Sequence, residues 1–117
     1  MVTPTIAPAL LDHREKIAAL CRAWGVDRLE VFGSAADGRF DPQRSDFDFI
    51  VRLGPPGAAQ GGSLGRRFVG LAEALEALLG RPVDLITDKP LANAYLRRAV
   101  DASRTLLYER PAEQAPA

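Results

Sequence analysis

The sequence lacks several features on which whole classes of protein depend. Cys21 is the only cysteine, so an internal disulfide and a cysteine-based zinc cage are both excluded. Lys plus Arg and Asp plus Glu number 15 each, giving a net charge of zero, and a basic surplus typical of chains that bind DNA or RNA directly is absent. The first six residues do not have the pattern of a signal peptide, and no uncharged apolar run is long enough to cross a bilayer. We therefore expect a cytoplasmic protein with no membrane contact.

The residues that are present suit a small globular domain. Apolar residues make up 47% and charged residues 26% of the chain, which is ordinary for a soluble protein. A length of 117 residues suits one compact domain and is too short for two independent cores. We expect residues 1–110 to form this domain and residues 111–117 to be a disordered tail.

The spacing of apolar residues predicts alternating helices and strands. Helices are predicted over about 10–24, 64–78 and 91–102, with one short helical turn between 35 and 44. Strands are predicted at 29–32, 46–51 and 83–86, and an edge strand at 105–108. The Gly- and Pro-rich segment Gly54–Gly62 is predicted to be a flexible loop. This order of elements predicts an α/β (α+β) fold in which a small mixed sheet is flanked by helices.

Two pairs of arginines lie within the predicted helices. We interpret Arg66-Arg67 and Arg97-Arg98 as solvated helix faces, and contact with an acidic partner is the alternative. Neither pair belongs to a longer run of like charge, so neither marks a basic surface by itself.

Carboxylates interrupt two of the predicted strands. Asp46 and Asp48 are two residues apart, so in a strand their side chains point to one side and can share a divalent ion. Acids in an otherwise apolar strand are costly unless a cation or solvent compensates them. Asp84 interrupts the next strand and would complete a three-carboxylate magnesium site if the two strands are neighbours. The alternative for Asp46 and Asp48 is a pair of exposed acids at the start of a strand.

A Gly-Ser pair stands at the end of the first predicted strand, just before the predicted helical turn. Glycine permits close approach of the backbone, while exposed N–H groups and a serine hydroxyl can hold phosphate oxygens. Gly33-Ser34 is a weak signal alone and gains weight from the Ser45-Asp46-Phe47-Asp48 segment that follows it. An ordinary turn is the alternative.

Together these segments resemble a family signature. Gly33-Ser34-Ala35-Ala36-Asp37-Gly38, followed by Ser45-Asp46-Phe47-Asp48-Phe49-Ile50-Val51, is similar to the signature of the DNA polymerase β-type nucleotidyltransferases. More narrowly, the chain resembles their minimal (MNT-type) antitoxin branch, from its first helix to Leu106-Leu107-Tyr108-Glu109. The resemblance implies the polymerase β-like nucleotidyltransferase fold.

The resemblance also implies roles for particular residues. Gly33 and Ser34 would hold the triphosphate of ATP, and Asp46 and Asp48 would bind Mg²⁺ as catalytic carboxylates. Asp84 would be the third catalytic carboxylate and metal ligand, and it would assist the attacking group.

One position departs from the pattern of the minimal branch. Where the branch usually has Arg before the second glycine of the turn, this chain has Asp37, and we predict that Asp37 weakens binding of the triphosphate. Arg39 is the nearby basic residue that would contact the nucleotide instead. Ser45 is a further nucleotide-binding candidate, and shaping or capping its own loop is the favoured interpretation of its role.

Members of the minimal branch are typically encoded beside a HEPN-domain toxin. The resemblance therefore implies an antitoxin that transfers AMP from ATP to a hydroxyl, most simply a tyrosine, of its toxin, in a Mg²⁺-dependent reaction within a hetero-oligomer. The alternative is a non-catalytic antitoxin that acts by complex formation only, and Asp37 favours it. A third possibility, a nucleotidyltransferase acting on a small antibiotic-type molecule, is disfavoured because 117 residues leave no second domain to hold such a substrate.

Overall fold

The computed structural model describes residues 6–55, 63–87 and 94–111. Helices and strands in these ranges follow in the order α1 (Pro8–Asp12), α2 (Arg14–Ala23), β1 (Val26–Phe32), α3 (Ser34–Asp37), β2 (Phe47–Leu53), α4 (Leu64–Leu79), β3 (Val83–Thr87), α5 (Ala94–Ser103) and β4 (Thr105–Glu109). Most of the loop predicted at Gly54–Gly62, the start of the helix predicted at 91–102 and the tail after residue 111 lie outside the described residues. None of the helices described is both long and apolar enough to cross a membrane.

The predicted order of elements is confirmed with one difference. The first predicted helix is two helices, because His13 has φ −106° and ψ 15° and interrupts the helical backbone between α1 and α2. The His13 ring nitrogen Nδ1 lies 2.9 Å from the Ala9 carbonyl oxygen, within hydrogen-bonding distance at the end of α1. This break directs α1 back towards the core, where Leu10 is buried.

The four strands form one mixed sheet in the order β3-β2-β1-β4. β1 is antiparallel to both β2 and β4, whereas β2 and β3 are parallel. A parallel pair requires a crossover connection, which α4 supplies between β2 and β3. The prediction of a small mixed sheet flanked by helices is confirmed, and β4 is an edge strand as predicted.

One face of the sheet forms the hydrophobic core with α2 and α4. The strands contribute alternate residues to this core, and each of them is almost fully buried: Leu29, Val31, Phe47, Phe49, Val51 and Leu85. Ile17 and Cys21 from α2, together with Leu71 and Leu75 from α4, belong to the same cluster. Each buried side chain of this size contributes about 1.5–3 kcal/mol relative to exposure, so this face fixes the register of β2 against its neighbours.

The approach of α4 to the end of α2 depends on a glycine within a helix. A Cβ atom at Gly70 would lie 2.4 Å from Cη2 of Trp24, far inside contact distance. The absence of a side chain at Gly70 therefore lets the indole of Trp24 pack directly against the backbone of α4.

The prediction that Arg66-Arg67 is a solvated helix face is wrong for Arg67. This side chain is 0% exposed, and its guanidinium donates to the carbonyl oxygens of Trp24, Gly25 and Gly54 at 3.4, 3.3 and 2.8 Å. Carbonyl groups at the C-terminal end of α2 carry partial negative charge, so they compensate the buried cation. The other three arginines of the two pairs are exposed, as predicted.

Candidate active site

The second face of the sheet, opposite α2 and α4, carries two of the three candidate carboxylates, Asp48 and Asp84. Asp48 on β2 is the register partner of Asp84 on the parallel strand β3, and it is also paired with Phe32 at the end of β1. Register partners point to the same face of a sheet. The condition set for Asp84, that its strand neighbours the strand of Asp48, is therefore met.

Burial and neighbouring charge both act on Asp48. The pKa of its carboxyl is raised from 3.8 to about 6, first by desolvation and then by the negative charges of Asp84 and Asp46. Both causes disfavour the ionised form. A cation bound beside Asp48 would therefore stabilise the ionised form of its carboxyl.

Asp46 lies immediately before β2, which begins one residue later than predicted, at Phe47. Its side chain is 56% exposed, and its Oδ1 lies 3.7 Å from Nη2 of Arg81. The Nε–H of Arg81 donates to the carbonyl oxygen of Ser45 at 3.0 Å. Arg81 lies on the connection between α4 and β3 and thus places a cation beside Asp46. No pattern in the sequence indicated this role for Arg81.

Ser45 is engaged within its own loop. Its hydroxyl accepts the Asp41 N–H at 2.9 Å, and its own N–H donates to the Asp41 carbonyl at 2.8 Å. These two bonds favour the loop-shaping interpretation, because the hydroxyl that was a candidate nucleotide ligand already fixes the segment leading to Asp46.

The Gly33-Ser34 turn lies against Asp48, because Phe32, the last residue of β1, is paired with Asp48. Gly33 has φ 74°, and a Cβ atom there would lie 2.7 Å from Oδ2 of Asp48. An L-residue would be strained by this backbone conformation and blocked by this carboxylate. Ser34 begins α3, in which the N–H groups of Ala36 and Asp37 both donate to the Gly33 carbonyl. Gly33 and Asp48, which belong to two separate motifs in the sequence, thus lie against each other in the structure.

The Gly33 amide is held by a residue far along the chain. It donates to the Ser103 hydroxyl at 2.9 Å, across 70 positions of sequence. Ser103 is the last residue of α5. No local pattern could have indicated this contact, because the two residues meet only through the pairing of β1 with β4.

Asp37 and Arg39 form a local ion pair at the end of α3. The Arg39 guanidinium donates to Asp37 Oδ2 from Nε at 2.9 Å and from Nη2 at 2.6 Å. The hydrogen bond from this guanidinium is the largest cause that lowers the pKa of the Asp37 carboxyl. The Arg39 side chain is 75% exposed and is directed at Asp37, the residue whose negative charge was predicted to weaken triphosphate binding.

Comparison with known proteins identifies the family. The sequence profile of the nucleotidyltransferase domain matches residues 13–111. The chain belongs to the nucleotidyltransferase-domain family. A solved structure of a protein described as a minimal nucleotidyltransferase is 34% identical, with 82% of this chain and 90% of that chain covered and a TM-score of 0.61. No curated protein sequence matches the chain significantly.

Two solved complexes share the nucleotidyltransferase fold at lower identity. A toxin–antitoxin complex with AMP-PNP is 24% identical, with 86% of this chain and 76% of that chain covered and a TM-score of 0.59. A complex of tri-AMPylated Shewanella oneidensis HEPN toxin with MNT antitoxin is 20% identical, with coverages of 86% and 72% and a TM-score of 0.56. At these identities the likeness bears on the fold alone, and it confirms the predicted nucleotidyltransferase fold.

The donor set of this nucleotidyltransferase suits magnesium held jointly with a nucleotide. Within the described ranges, no three or more His, Cys, Asp or Glu side chains are gathered closely enough to hold a metal ion. Magnesium, however, commonly takes one or two carboxylates and completes its shell with water and substrate phosphates. The oxygen donors of Asp48 and its partner Asp84, beside the Gly33 turn, fit that mode of binding.

Proposed function

We propose that this nucleotidyltransferase is an antitoxin that transfers AMP from ATP to a hydroxyl, most simply that of a tyrosine, on a HEPN-type toxin. The observation that carries the proposal is the placement of Gly33 against Asp48, with Asp84 opposite Asp48 on the next strand. A phosphate-binding turn beside paired carboxylates is the arrangement that nucleotide transfer requires, because positioning and charge neutralisation supply most of the catalysis.

Each residue of the site takes a role that its position supports. Asp46 and Asp48 are the proposed Mg²⁺ ligands, and the bound ion would neutralise phosphate charge during transfer. The three carboxylates are not gathered closely enough to hold an ion by themselves, so phosphates of the nucleotide would complete the shell. Asp84 is the third proposed ligand, and its carboxylate would receive the proton of the attacking hydroxyl. The oxygen of that hydroxyl would form a bond to the α-phosphorus of ATP. The bond from this phosphorus to the oxygen that joins it to the β-phosphorus would break, and pyrophosphate would leave. The Gly33-Ser34 turn would hold the departing phosphates, with Gly33 permitting their close approach and Ser34 supplying its N–H and hydroxyl as donors.

Two further candidates have weaker roles in this proposal. Arg39 can contact the triphosphate once its guanidinium leaves Asp37, which costs little because the pair is exposed. Ser45 acts through its loop, in which its hydroxyl holds the Asp41 amide and thereby sets the approach of the chain to Asp46.

The partner assignment is supported by family and by surface chemistry. Solved relatives of the same fold are complexes of MNT antitoxins with HEPN toxins, and the present chain belongs to the same broad family. Leu64 and Val69 of α4 are large apolar side chains that are exposed in the isolated chain. Exposed apolar groups on one helix are suited to a protein interface, and we propose that they contact the toxin in a hetero-oligomer.

The direct test uses the product of the gene beside that of this chain, which under this proposal is a HEPN-type toxin. Incubation of the two proteins with ATP and Mg²⁺ should add one or more AMP masses to the partner, as measured by intact-mass spectrometry. The matched control is Asp46→Asn with Asp48→Asn, which should leave the partner's mass unchanged. An unchanged partner with the wild-type protein, despite formation of the complex, would contradict the transfer reaction.

The second candidate function is neutralisation by complex formation alone. Asp37, in place of the usual Arg, is the observation that favours it, because the guanidinium of Arg39 is engaged with this carboxylate. Co-expression of the toxin with the Asp46→Asn, Asp48→Asn variant separates the two functions. If the variant protects cells as well as the wild-type chain and co-elutes with the toxin, complex formation is sufficient.

A further inference from the structure

The bond between Gly33 and Ser103 joins the end of α5 to the proposed phosphate-binding turn. The Gly33 N–H donates to the Ser103 hydroxyl at 2.9 Å, while the other side of Gly33 lies against the Asp48 carboxylate. This glycine is therefore confined between a hydroxyl and a carboxylate that come from two other elements of the fold.

The same bond fixes the orientation of the turn. The Gly33 N–H belongs to the peptide group that follows β1, and Ser103 holds it. The Gly33 carbonyl belongs to the next peptide group, and the amides of Ala36 and Asp37 hold it at 3.0 and 3.1 Å. Because a peptide group is planar, fixing this carbonyl also fixes the direction of the Ser34 N–H. Both peptide groups that flank Gly33 are thus held before any nucleotide binds.

Ser103 is itself held firmly by its surroundings. Its carbonyl accepts the Thr105 hydroxyl at 3.0 Å. The next residue, Arg104, donates to both carboxylate oxygens of Glu30, at 3.0 and 2.6 Å, and Glu30 is buried on β1. The junction between α5 and β4 is therefore anchored to the strand that leads into the Gly33 turn, so the Ser103 hydroxyl is a preorganised acceptor.

We propose that Ser103 is a positioning residue of the nucleotide site. It acts through the Gly33 amide and fixes the Gly33-Ser34 turn in the orientation that accepts the triphosphate. This inference rests on the proposed function, since it concerns binding of the nucleotide at the same turn. Preorganised donors bind more tightly because the cost of ordering them is met during folding.

The experiment compares three variants in binding of AMP-PNP with Mg²⁺, measured by calorimetry. Ser103→Ala removes the acceptor and should weaken nucleotide binding about three- to tenfold, the range expected for one net hydrogen bond. Ser103→Thr retains a hydroxyl and should restore most of the affinity. Ser63→Ala removes another serine hydroxyl that accepts a backbone N–H, that of Arg66 at the start of α4, and it should bind nucleotide like the wild-type chain.

A second measurement, hydrogen exchange, begins with the wild-type protein, and that part of it does not depend on whether a variant folds. The Gly33 amide should be protected from hydrogen exchange in the free protein and should remain protected with AMP-PNP and Mg²⁺ bound. Ser103→Ala should exchange this amide at least tenfold faster. Exchange of the wild-type Gly33 amide at the rate of an exposed loop would overturn the inference.

The outcomes separate this inference from the proposed function. A wild-type protein that fails to bind AMP-PNP with Mg²⁺ overturns both. Normal wild-type binding with equal affinity in Ser103→Ala overturns the positioning role only. Tighter binding by Ser103→Ala also overturns it, because the hydroxyl would then be competing with phosphate for the Gly33 amide.

Discussion

Glu30 and Asp48 lie on the same face of the sheet, on neighbouring strands, in opposite electrostatic surroundings. Glu30 on β1 is 5% exposed, and both of its carboxylate oxygens accept hydrogen bonds from Arg104. Asp48 on β2 faces the acids Asp84 and Asp46, which together with burial raise its pKa to about 6. The first carboxylate is compensated by the fold, whereas the second is surrounded by charge of its own sign.

This difference distinguishes a structural carboxylate from a functional one. A buried charge normally requires a partner, and a carboxyl whose pKa is perturbed by burial and by charges of its own sign is a candidate for ligand binding. Under the proposed function, Mg²⁺ bound together with the nucleotide supplies to Asp48 the positive charge that Arg104 supplies to Glu30. The comparison therefore predicts opposite effects on stability. Removing the partner of Glu30 should destabilise the protein, whereas removing the charge of Asp48 should stabilise it in the absence of ligands.

The largest expected effect on stability comes from breaking the compensated pair. Arg104→Met leaves Glu30 buried without its bidentate partner and should lower the free energy of unfolding by about 3 kcal/mol. Arg28, whose Nε lies 3.6 Å from Glu30 Oε1, can offset part of this loss. Urea denaturation measures the change. Addition of Glu30→Leu to Arg104→Met should recover stability, and a single variant as stable as the wild-type chain would contradict the comparison.

Binding of Mg²⁺ and ATP should stabilise the wild-type chain by a similar amount. At a ligand concentration one hundred times Kd, linkage predicts about 2.7 kcal/mol of added stability. Thermal melts with Mg²⁺ alone, ATP alone and both together measure it. Asp46→Asn with Asp48→Asn should remove the Mg²⁺-dependent part, and an equal response in both proteins would exclude these carboxylates as the metal site.

Neutralising Asp48 should stabilise the protein in the absence of ligands. Because the folded-state pKa of this acid lies above its ordinary value, ionisation penalises the folded state. The penalty is complete above about pH 6, and it disappears as the pH falls below the ordinary value of 3.8. Asp48→Asn should therefore gain about 1–2 kcal/mol at pH 7.5, after allowance for solvent screening, and almost nothing at pH 3.5.

The control for this pH dependence is Asp12→Asn, at an exposed position in α1. Its stability relative to the wild-type chain should change little between the two pH values. A gain for Asp48→Asn that does not vary with pH would show that packing, and not charge, causes the effect.

The smallest expected effect concerns the exposed pair of Asp37 and Arg39. Asp37→Asn should leave the melting temperature unchanged, because an exposed ion pair contributes little to stability. It should raise the affinity for ATP several-fold, since the Arg39 guanidinium becomes available to phosphate. Titration calorimetry with ATP and Mg²⁺ measures this change, and Arg39→Ala in the same background should abolish the gain. Unchanged affinity in Asp37→Asn and in Arg39→Ala would place the pair outside the site.

Much of the candidate site could be predicted because its signals are local. The period-two alternation of Phe47, Phe49 and Val51 with Asp48 assigns each side chain to a face as soon as the strand is recognised. The Gly33-Ser34 pair at the end of a strand indicates a turn with exposed amides. For Asp84, the prediction held only if two strands were neighbours, a condition that local spacing could not test.

The prediction for Arg67 failed for a physical reason. An arginine in an amphipathic helix is usually solvated, and no neighbour in sequence indicates otherwise. Its burial depends on carbonyl groups of Trp24, Gly25 and Gly54, which converge only when α2, β2 and α4 are packed. The position of Arg81 beside Asp46 could not be predicted for the same reason.

The sequence by itself determined the order of the elements, the two faces of β2 and the chemical types available for the site, because these depend on residues a few positions apart. Only the tertiary structure decided which charged and hydrogen-bonding groups come into contact. Arg104 pairs with Glu30, Arg81 lies beside Asp46, and Ser103 holds Gly33. Electrostatic and hydrogen-bonding energies depend on distances of a few ångströms in space, and those distances are set by the strand order and the crossover through α4.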